Sequence, residues 1–278
     1  MFSIKEIQNM NYNEQIAIIG ETNRPPGGIR TVIDFINNNN ITKDTKILEI
    51  GTSTGFTAIE LALRTDAQIT SIDINPNSIE IAKTRAKSLG IENRIEFLVA
   101  DAMNLPFENQ KFDIIFSGNI ISYIPDRDKA LSEYMRVLKN CGILFASPMY
   151  YFEKPAKFFI EKVRNALKMD ISIDYEQTWE NLFSKEGLEL ILEEQFKFDY
   201  ISDSDIVKYV EDILLSNKHY LSLYNFEDGA LKEFIKLYEE NIFLFRDNLF
   251  KMGYSQLYFR KNHEPFDREL FTSTRIGG

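Results

Sequence analysis

The sequence predicts an α/β protein built on a doubly wound, mostly parallel sheet. Three observations carry this reading. Short Ile/Val/Leu-rich runs alternate with helical segments from Lys46 to Pro148. The runs are apolar at consecutive positions, as strands covered on both faces must be. Three of them carry a carboxylate at or beside the carboxyl end, Glu49, Asp73 and Asp101.

The elements follow in order. KILEI (Lys46 to Ile50) leads to a helix from about Thr54 to Arg64, and QITSID (Gln68 to Asp73) to a helix from about Pro76 to Leu89. IEFLVAD (Ile95 to Asp101) and FDIIFSG (Phe112 to Gly118) come next, then a helix near Asp128 to Leu138 and the strand GILFASP (Gly142 to Pro148). Upstream, Ile4, Ile7 and Met10 keep helical spacing, the run Arg24, Pro25, Pro26, Gly27, Gly28 breaks it, and Ile29, Val32, Ile33 and Ile36 resume it. Downstream, helical segments pass through Trp179 and Leu182 before a long strand-like run, Leu188 to Ile201, and an expected antiparallel last strand, Tyr254 to Lys261. Between these two strands Leu231, Phe234, Ile235, Tyr238, Ile242, Phe245 and Leu249 recur at three- and four-residue steps, which predicts a helical cap insertion. The expected organisation is an N-terminal helical lid segment (1–45), a core (46–202 and 253–262), a cap insertion (203–252) and a C-terminal tail (263–278) without clear periodicity.

Composition narrows the function. With 44% hydrophobic and 27% charged residues over 278 positions the chain is globular in type, and no run is long and apolar enough for a bilayer span. The start, MFSIKEIQNM, has no basic segment followed by an apolar one, so a cytoplasmic location is expected. One cysteine, Cys141, and two histidines argue against an internal disulfide and a zinc cluster. A net charge of -10 opposes a nucleic-acid partner. The run Asn37 to Asn40 reads as a solvated helix end, and no internal repeat is present.

Gly51, Thr52, Ser53 and Gly55 form a small-residue turn between the first strand and its helix. In a doubly wound sheet this is where ligands bind, because backbone N–H groups can approach closely and the helix N-terminus favours negative charge. Asp73 ends the second strand, where a carboxylate can accept hydrogen bonds from both hydroxyls of a ribose. Asp101 and the N–H of Ala102 end the third, suited to the edge of an adenine.

With these residues in this order, the stretch from about Ile47 to Pro148 resembles the class I S-adenosylmethionine-dependent methyltransferases of small-molecule type, which implies a Rossmann-like sheet and S-adenosyl-L-methionine as cofactor. The family's acidic residue and alternating glycines map onto Glu49, Gly51, Ser53 and Gly55, with Ser53 in place of the middle glycine. The resemblance implies that Asp73 holds the ribose, Ile74 packs on the adenine, Asp101 and Ala102 recognise its amino group, and Ser117, Gly118 and Asn119 border the reacting methyl. Tyr12 and Arg24 to Gly28 resemble the N-terminal portion that closes over cofactor and substrate in such enzymes, with Arg24 able to pair with a carboxylate.

The same loop also reads literally as GxSxG, the nucleophile elbow of a serine hydrolase, with Ser53 as nucleophile and His219 or His263 as base. Against it, only about forty-five mostly helical residues precede the first strand and no HGGG-like segment is present. A nicotinamide fingerprint would need glycine at Ser53 and Phe56 and has neither. A third reading is a non-catalytic methyltransferase-fold subunit that supports a partner.

For the chemistry, Asn119 and Tyr123 are the candidate catalytic residues, and Asp126 reads better as a helix cap. SPMYY (Ser147 to Tyr151) is similar to a motif of amino-methyltransferases, but Met149 stands where the second proline would and the segment follows the fifth strand. Tyr150 and Tyr151 therefore read as pocket wall or core. Tyr220, Tyr224, Phe226, Phe243 and Phe245 could line an apolar pocket, pack within the cap, or form the face of a homodimer. The expected acceptor is a small molecule or short peptide, methylated on O or N.

Overall fold

The computed structural model describes residues 1–184 and 187–262. The expected tail 263–278, with His263, lies outside the described residues. The N-terminal helix of the sequence reading is two helices, α1 (Ile4–Gln8) and α2 (Tyr12–Ile19), because the chain restarts at a second cap. Ser3 and Asn11 each accept a hydrogen bond from the backbone three residues on, and Glu6 and Glu14 return it. Helix α3 (Ile29–Asn37) follows the Pro-Pro-Gly-Gly turn.

Among the described residues the core is an eight-stranded sheet. Strand β1 (Lys46–Ile50) precedes α4 (Phe56–Arg64), β2 (Gln68–Asp73) precedes α5 (Pro76–Ser88), and β3 (Ile95–Val99) and β4 (Phe112–Phe116) follow. Helix α6 (Arg127–Val137) runs directly into β5 (Leu138–Ala146). Sheet order is β3-β2-β1-β4-β5, all parallel, with β8 (Met252–Lys261) antiparallel to β5. Pro148 interrupts the chain after β5, and the short strand β6 (Met149–Tyr151), which the sequence did not single out, continues along the same edge of β8. The other edge of β8 pairs with β7 (Leu188–Lys197), which ends short of the expected Ile201. Between β6 and β7 lie α7 (Lys157–Leu167) and α8 (Glu176–Phe183).

Period-two alternation sorts the strand residues between two cores. Ile47, Ile69, Ile114, Phe145 and Tyr258 pack on α3, α4 and α5, whereas Leu48, Ile72, Ile115, Leu144 and Phe259 pack on α6 and α8. Phe145 is central to the first: its ring lies 5.1, 4.7 and 4.9 Å from those of Phe35, Phe116 and Tyr258.

A third core lies in a helical layer made from both ends of the chain. α9 (Asp203–Ser216), α10 (Lys218–Leu221) and α11 (Ala230–Leu249) fill the insertion, and Ile206, Val210, Phe234 and Tyr238 pack on Ile7, Ile16 and Ile19 of the N-terminal helices. Backbone hydrogen bonds join Phe2 to Asn225 and Glu227. Within this layer Phe226 packs against Phe2 and Phe234, Tyr224 against Phe2, and Phe245 against Tyr12, while Phe243 lies under the Arg246 guanidinium. Among the described residues no helix is long and apolar enough to cross a membrane.

Phe145→Ala should cost about 3–5 kcal/mol of stability, since the fully buried ring leaves a cavity between two layers that cannot collapse. Chemical denaturation monitored by circular dichroism measures it.

Candidate active site

The order of the parallel strands reverses between β1 and β4, and the turn after β1 lies at that switch point. Gly51, Ser53 and Gly55 all have left-handed backbone, with φ of 80°, 49° and 89°. Glycine is required at two of these positions by contact as well. A Cβ on Gly51 would stand 2.6 Å from Ile120, and one on Gly55 2.9 Å from the Ala82 Cβ of α5. The left-handed Gly55 also explains why α4 starts at Phe56 and not at the expected Thr54.

Two carboxylates shape this turn. The Ser53 N–H donates to Asp73 Oδ2 at 2.8 Å and the Asn75 N–H to Oδ1 at 2.9 Å, so Asp73 ties the loop after β1 to the loop after β2. Glu49 is buried in β1 and accepts a hydrogen bond from the Ser71 hydroxyl, its register partner in β2. Burial pushes the Glu49 carboxyl up to about 7, against the opposing pull of Ser71 and with added repulsion from Asp73. The Thr52 hydroxyl faces the same carboxylate without closing a hydrogen bond.

Along the strand ends, Ile74 is 68% exposed, an open apolar side chain beside Asp73. Asp101 accepts the Met103 N–H at 2.8 Å and Ala102 follows it, half-buried. After β4, Ser117 donates its N–H to Phe145, and Gly118 accepts that of Ser147. The side-chain hydroxyls of Thr54, Ser117 and Ser147 are buried without a hydrogen-bond partner. The Tyr134 hydroxyl, from α6, lies near Ser117 and Asp101 in the same condition.

Residues 20–28 cross above these strand ends as a strap. Asn23 donates to the Ser53 hydroxyl at 3.2 Å, and the Arg24 guanidinium lies 5.0 Å from the centre of the Phe56 ring, on the first residue of α4. Gly27 passes so close to β8 that a Cβ there would stand 2.3 Å from the Tyr254 hydroxyl.

Comparison with known proteins shows the family to which this fold belongs. A methyltransferase-domain family matches residues 41–195. The chain belongs to that family. An uncharacterized protein of Haemophilus influenzae is 29% identical over 174 residues, 62% of this chain and 69% of the relative. The MccD protein structure has a TM-score of 0.71 at 26% identity, covering 86% of this chain and all (100%) of MccD. A Haemonchus contortus phosphoethanolamine N-methyltransferase, solved with phosphomonomethylethanolamine and S-adenosylhomocysteine, shares the fold with a TM-score of 0.68 at 19% identity, over 94% of this chain and 60% of that one. The protein is a class I S-adenosylmethionine-dependent methyltransferase, and its cofactor is S-adenosylmethionine.

The strand-end crevice of this methyltransferase fits that cofactor. It offers left-handed backbone that lets a ligand approach, a carboxylate at the end of β2, and buried hydroxyls lacking partners. The family match sets the serine-elbow reading aside, and of its two candidate bases His263 lies outside the described residues. The Ser53 hydroxyl is bonded by Asn23, and His219 sits in α10 with its ring 4.1 Å from that of Tyr220.

The remaining candidates are spread out. Asn119 Oδ1 accepts from the Ser122 hydroxyl at 2.7 Å and the Met149 N–H at 2.9 Å, so this side chain ties the loop after β4 to β6. Tyr123 ends that loop 43% exposed, with the hydroxyl end enclosed so that desolvation raises its pKa. Asp126 caps α6 by accepting the Lys129 N–H. Tyr12 is in the helical layer beside Tyr238. Tyr150 is on the opposite face of the sheet from the strap, lining a cavity of about 250 Å³ with Trp179, Phe183, Leu257 and Phe259. Tyr151 points away from Tyr150 and donates to Asn248 at 2.8 Å.

Sequence reasoning passed over Ser71, Asn23, Glu21 and Tyr134. Only Ser71 had a signal: alternation in two parallel strands puts it on the same face as Glu49.

Two outcomes follow. The folded state holds the Glu49 proton from its usual 4.5 up to about 7. The stability this group confers is therefore full below the lower value and is lost as pH rises through the higher one. Thermal melts from pH 4 to pH 8 should show Glu49→Gln flattening that decline. Ser53→Gly removes a left-handed non-glycine residue worth about 1 kcal/mol of strain, so S-adenosylhomocysteine binding should persist and thermal stability should hold or rise; loss of binding would assign the Ser53 side chain a direct role.

Proposed function

We propose that this methyltransferase transfers the methyl group to an oxygen or nitrogen of a small molecule or short peptide, held between the strand ends and the helical layer. The supporting observation is the strap. It covers the cofactor turn through Asn23 and Arg24 and is anchored behind by Gly27 against β8, an arrangement that favours a small acceptor over a folded polymer.

In this reading the backbone of Gly51 to Gly55 and the N-terminus of α4 hold the carboxylate end of the cofactor, with Arg24 as counter-charge and Glu49 beneath. Asp73 accepts from the ribose hydroxyls with the lone pairs that Ser53 and Asn75 leave free. Ile74 covers the adenine, and Asp101 with the Ala102 N–H reads its edge. Bound there, the cofactor supplies a methyl group on a sulfonium that departs as a neutral thioether. Ser117, Asn119 and Tyr123 border the transfer. Asn119 spends its oxygen on Ser122 and Met149 and keeps its amide N–H to orient the acceptor. Tyr123 carries a neutral hydroxyl that can accept the acceptor's hydrogen bond. The chain aligns the nucleophile and excludes water, which is most of what an in-line displacement requires. A cytoplasmic setting agrees with a single exposed cysteine.

Isothermal titration with S-adenosylhomocysteine tests the placement. Asp73→Ala should weaken binding at least about tenfold, the loss expected when hydrogen bonds to a charged group are removed. Unchanged affinity in the folded variant would remove Asp73 from the site.

A further inference from the structure

The strap carries one carboxylate that the cofactor does not use. Glu21 follows the left-handed Gly20 that ends α2, and accepts hydrogen bonds from the hydroxyls of Tyr209 on α9 and Tyr238 on α11, the second at 2.7 Å. Tyr12 lies nearly parallel to Tyr238, with ring centres 6.3 Å apart and planes 4° from parallel, and Phe245 stands 4.6 Å from Tyr12. Tyr220 closes the far side, so near that a Cβ on Gly20 would stand 2.3 Å from its ring. Among the described residues no Lys, Arg or His forms an ion pair with Glu21. Arg24, three residues on, is stacked on Phe56 instead.

This half-buried carboxylate, surrounded by aromatic rings and neutral donors, has hydroxyl partners and, among the described residues, no ion pair, and the cation nearest the cluster is Arg24, whose charge reaches Tyr209. The field of Glu21 reaches all three tyrosines: burial first, and then the Glu21 charge, hold the hydroxyls of Tyr12, Tyr209 and Tyr238 well above their ordinary range. One rung along the same α2–α11 contact, Gln15 is fully buried, with Oε1 accepting from Asn241 at 3.0 Å and Nε2 without a partner. A cation inside the cluster would satisfy Glu21, and an oxygen beside it would satisfy Gln15.

We propose that Glu21, with Tyr12, Tyr209 and Tyr238, recognises the cationic amine of the methyl acceptor, and that the buried Gln15 amide donates to an oxygen on the same molecule. This rests on the methyl-transfer reading above and narrows its acceptor to an amine. One feature favours an amine over a neutral alcohol. Aromatic faces and a carboxylate together attract a cation, whereas an alcohol leaves the charge unpaired. Glu21 is also two residues from Asn23, which bonds the Ser53 hydroxyl, so the cluster adjoins the cofactor turn.

The test uses the full chain. S-adenosylhomocysteine affinity is measured first, and failure of the folded protein to bind it overturns the cofactor assignment separately. On protein saturated with S-adenosylhomocysteine, N-methylethanolamine is then titrated against 2-methoxyethanol, a neutral molecule of matching size, with saturation-transfer NMR as readout. The amine should bind at least about tenfold more tightly, and Glu21→Gln should abolish that preference. Equal affinities, or a preference that survives in folded Glu21→Gln, would overturn the proposal. If Glu21→Gln does not fold, Tyr238→Phe and Tyr209→Phe serve in its place, each lowering amine affinity about threefold or more; no change in either overturns it equally.

Discussion

Much of the active end of this molecule hangs on the carboxylate of Asp73. One oxygen takes the N–H of Ser53 and the other that of Asn75, so a single side chain fixes the turns leaving two adjacent strands. The parallel register of β1 and β2 brings it there, and Ile72, one residue earlier, accepts the N–H groups of Gly51 and Thr52. With the turn held in left-handed backbone, Gly51 lies beneath Ile120 and Gly55 against Ala82, which sets the loop after β4 and the seat of α5. Strain at Ser53 persists because these contacts determine it from several sides.

The core was legible because a parallel sheet leaves little freedom. Strands buried on both faces must be apolar throughout, and their order along the chain dictates which ends meet. Glu49, Asp73 and Asp101 could be placed from sequence for that reason. Boundaries were less legible where one backbone angle decides. Left-handed Gly55 delays α4, Pro148 splits one sheet edge into β5 and β6, and the cap at Asn11 divides the N-terminal helix. Tyr150 keeps the register across Pro148: β5 and β6 pair with β8 in one continuous alternation, so it shares the face of Leu144 and Ala146 and meets Trp179 as a buried wall residue.

Glu21 and Asn23 were illegible for a different reason. Both are polar residues between a helix end and a Pro-Pro turn, and nothing local distinguishes them from loop. Their partners are distant in sequence: Tyr209 and Tyr238 for Glu21, Ser53 for Asn23. Such contacts exist only because both chain ends build one helical layer, joined at Phe2 with Asn225 and Glu227. The N-terminal helices and the insertion, separate stretches of sequence, thus share one hydrophobic core.

That shared core also holds the strap. The strap is tied to the cofactor turn by one side-chain hydrogen bond, Asn23 to Ser53, and to the helical layer by three, two through Glu21 and one from Asn23 to Asn13. Its far end turns through Gly27 and Gly28, both left-handed, where glycine tolerates changes of angle that other residues resist. Displacing the strap with its helices therefore breaks few bonds at the turn and keeps the apolar contacts of the layer intact. Prising it from the helices would strip Glu21 of both hydroxyl partners. The layer is in turn tied to the sheet, where the Tyr151 hydroxyl of β6 donates to Asn248 of α11.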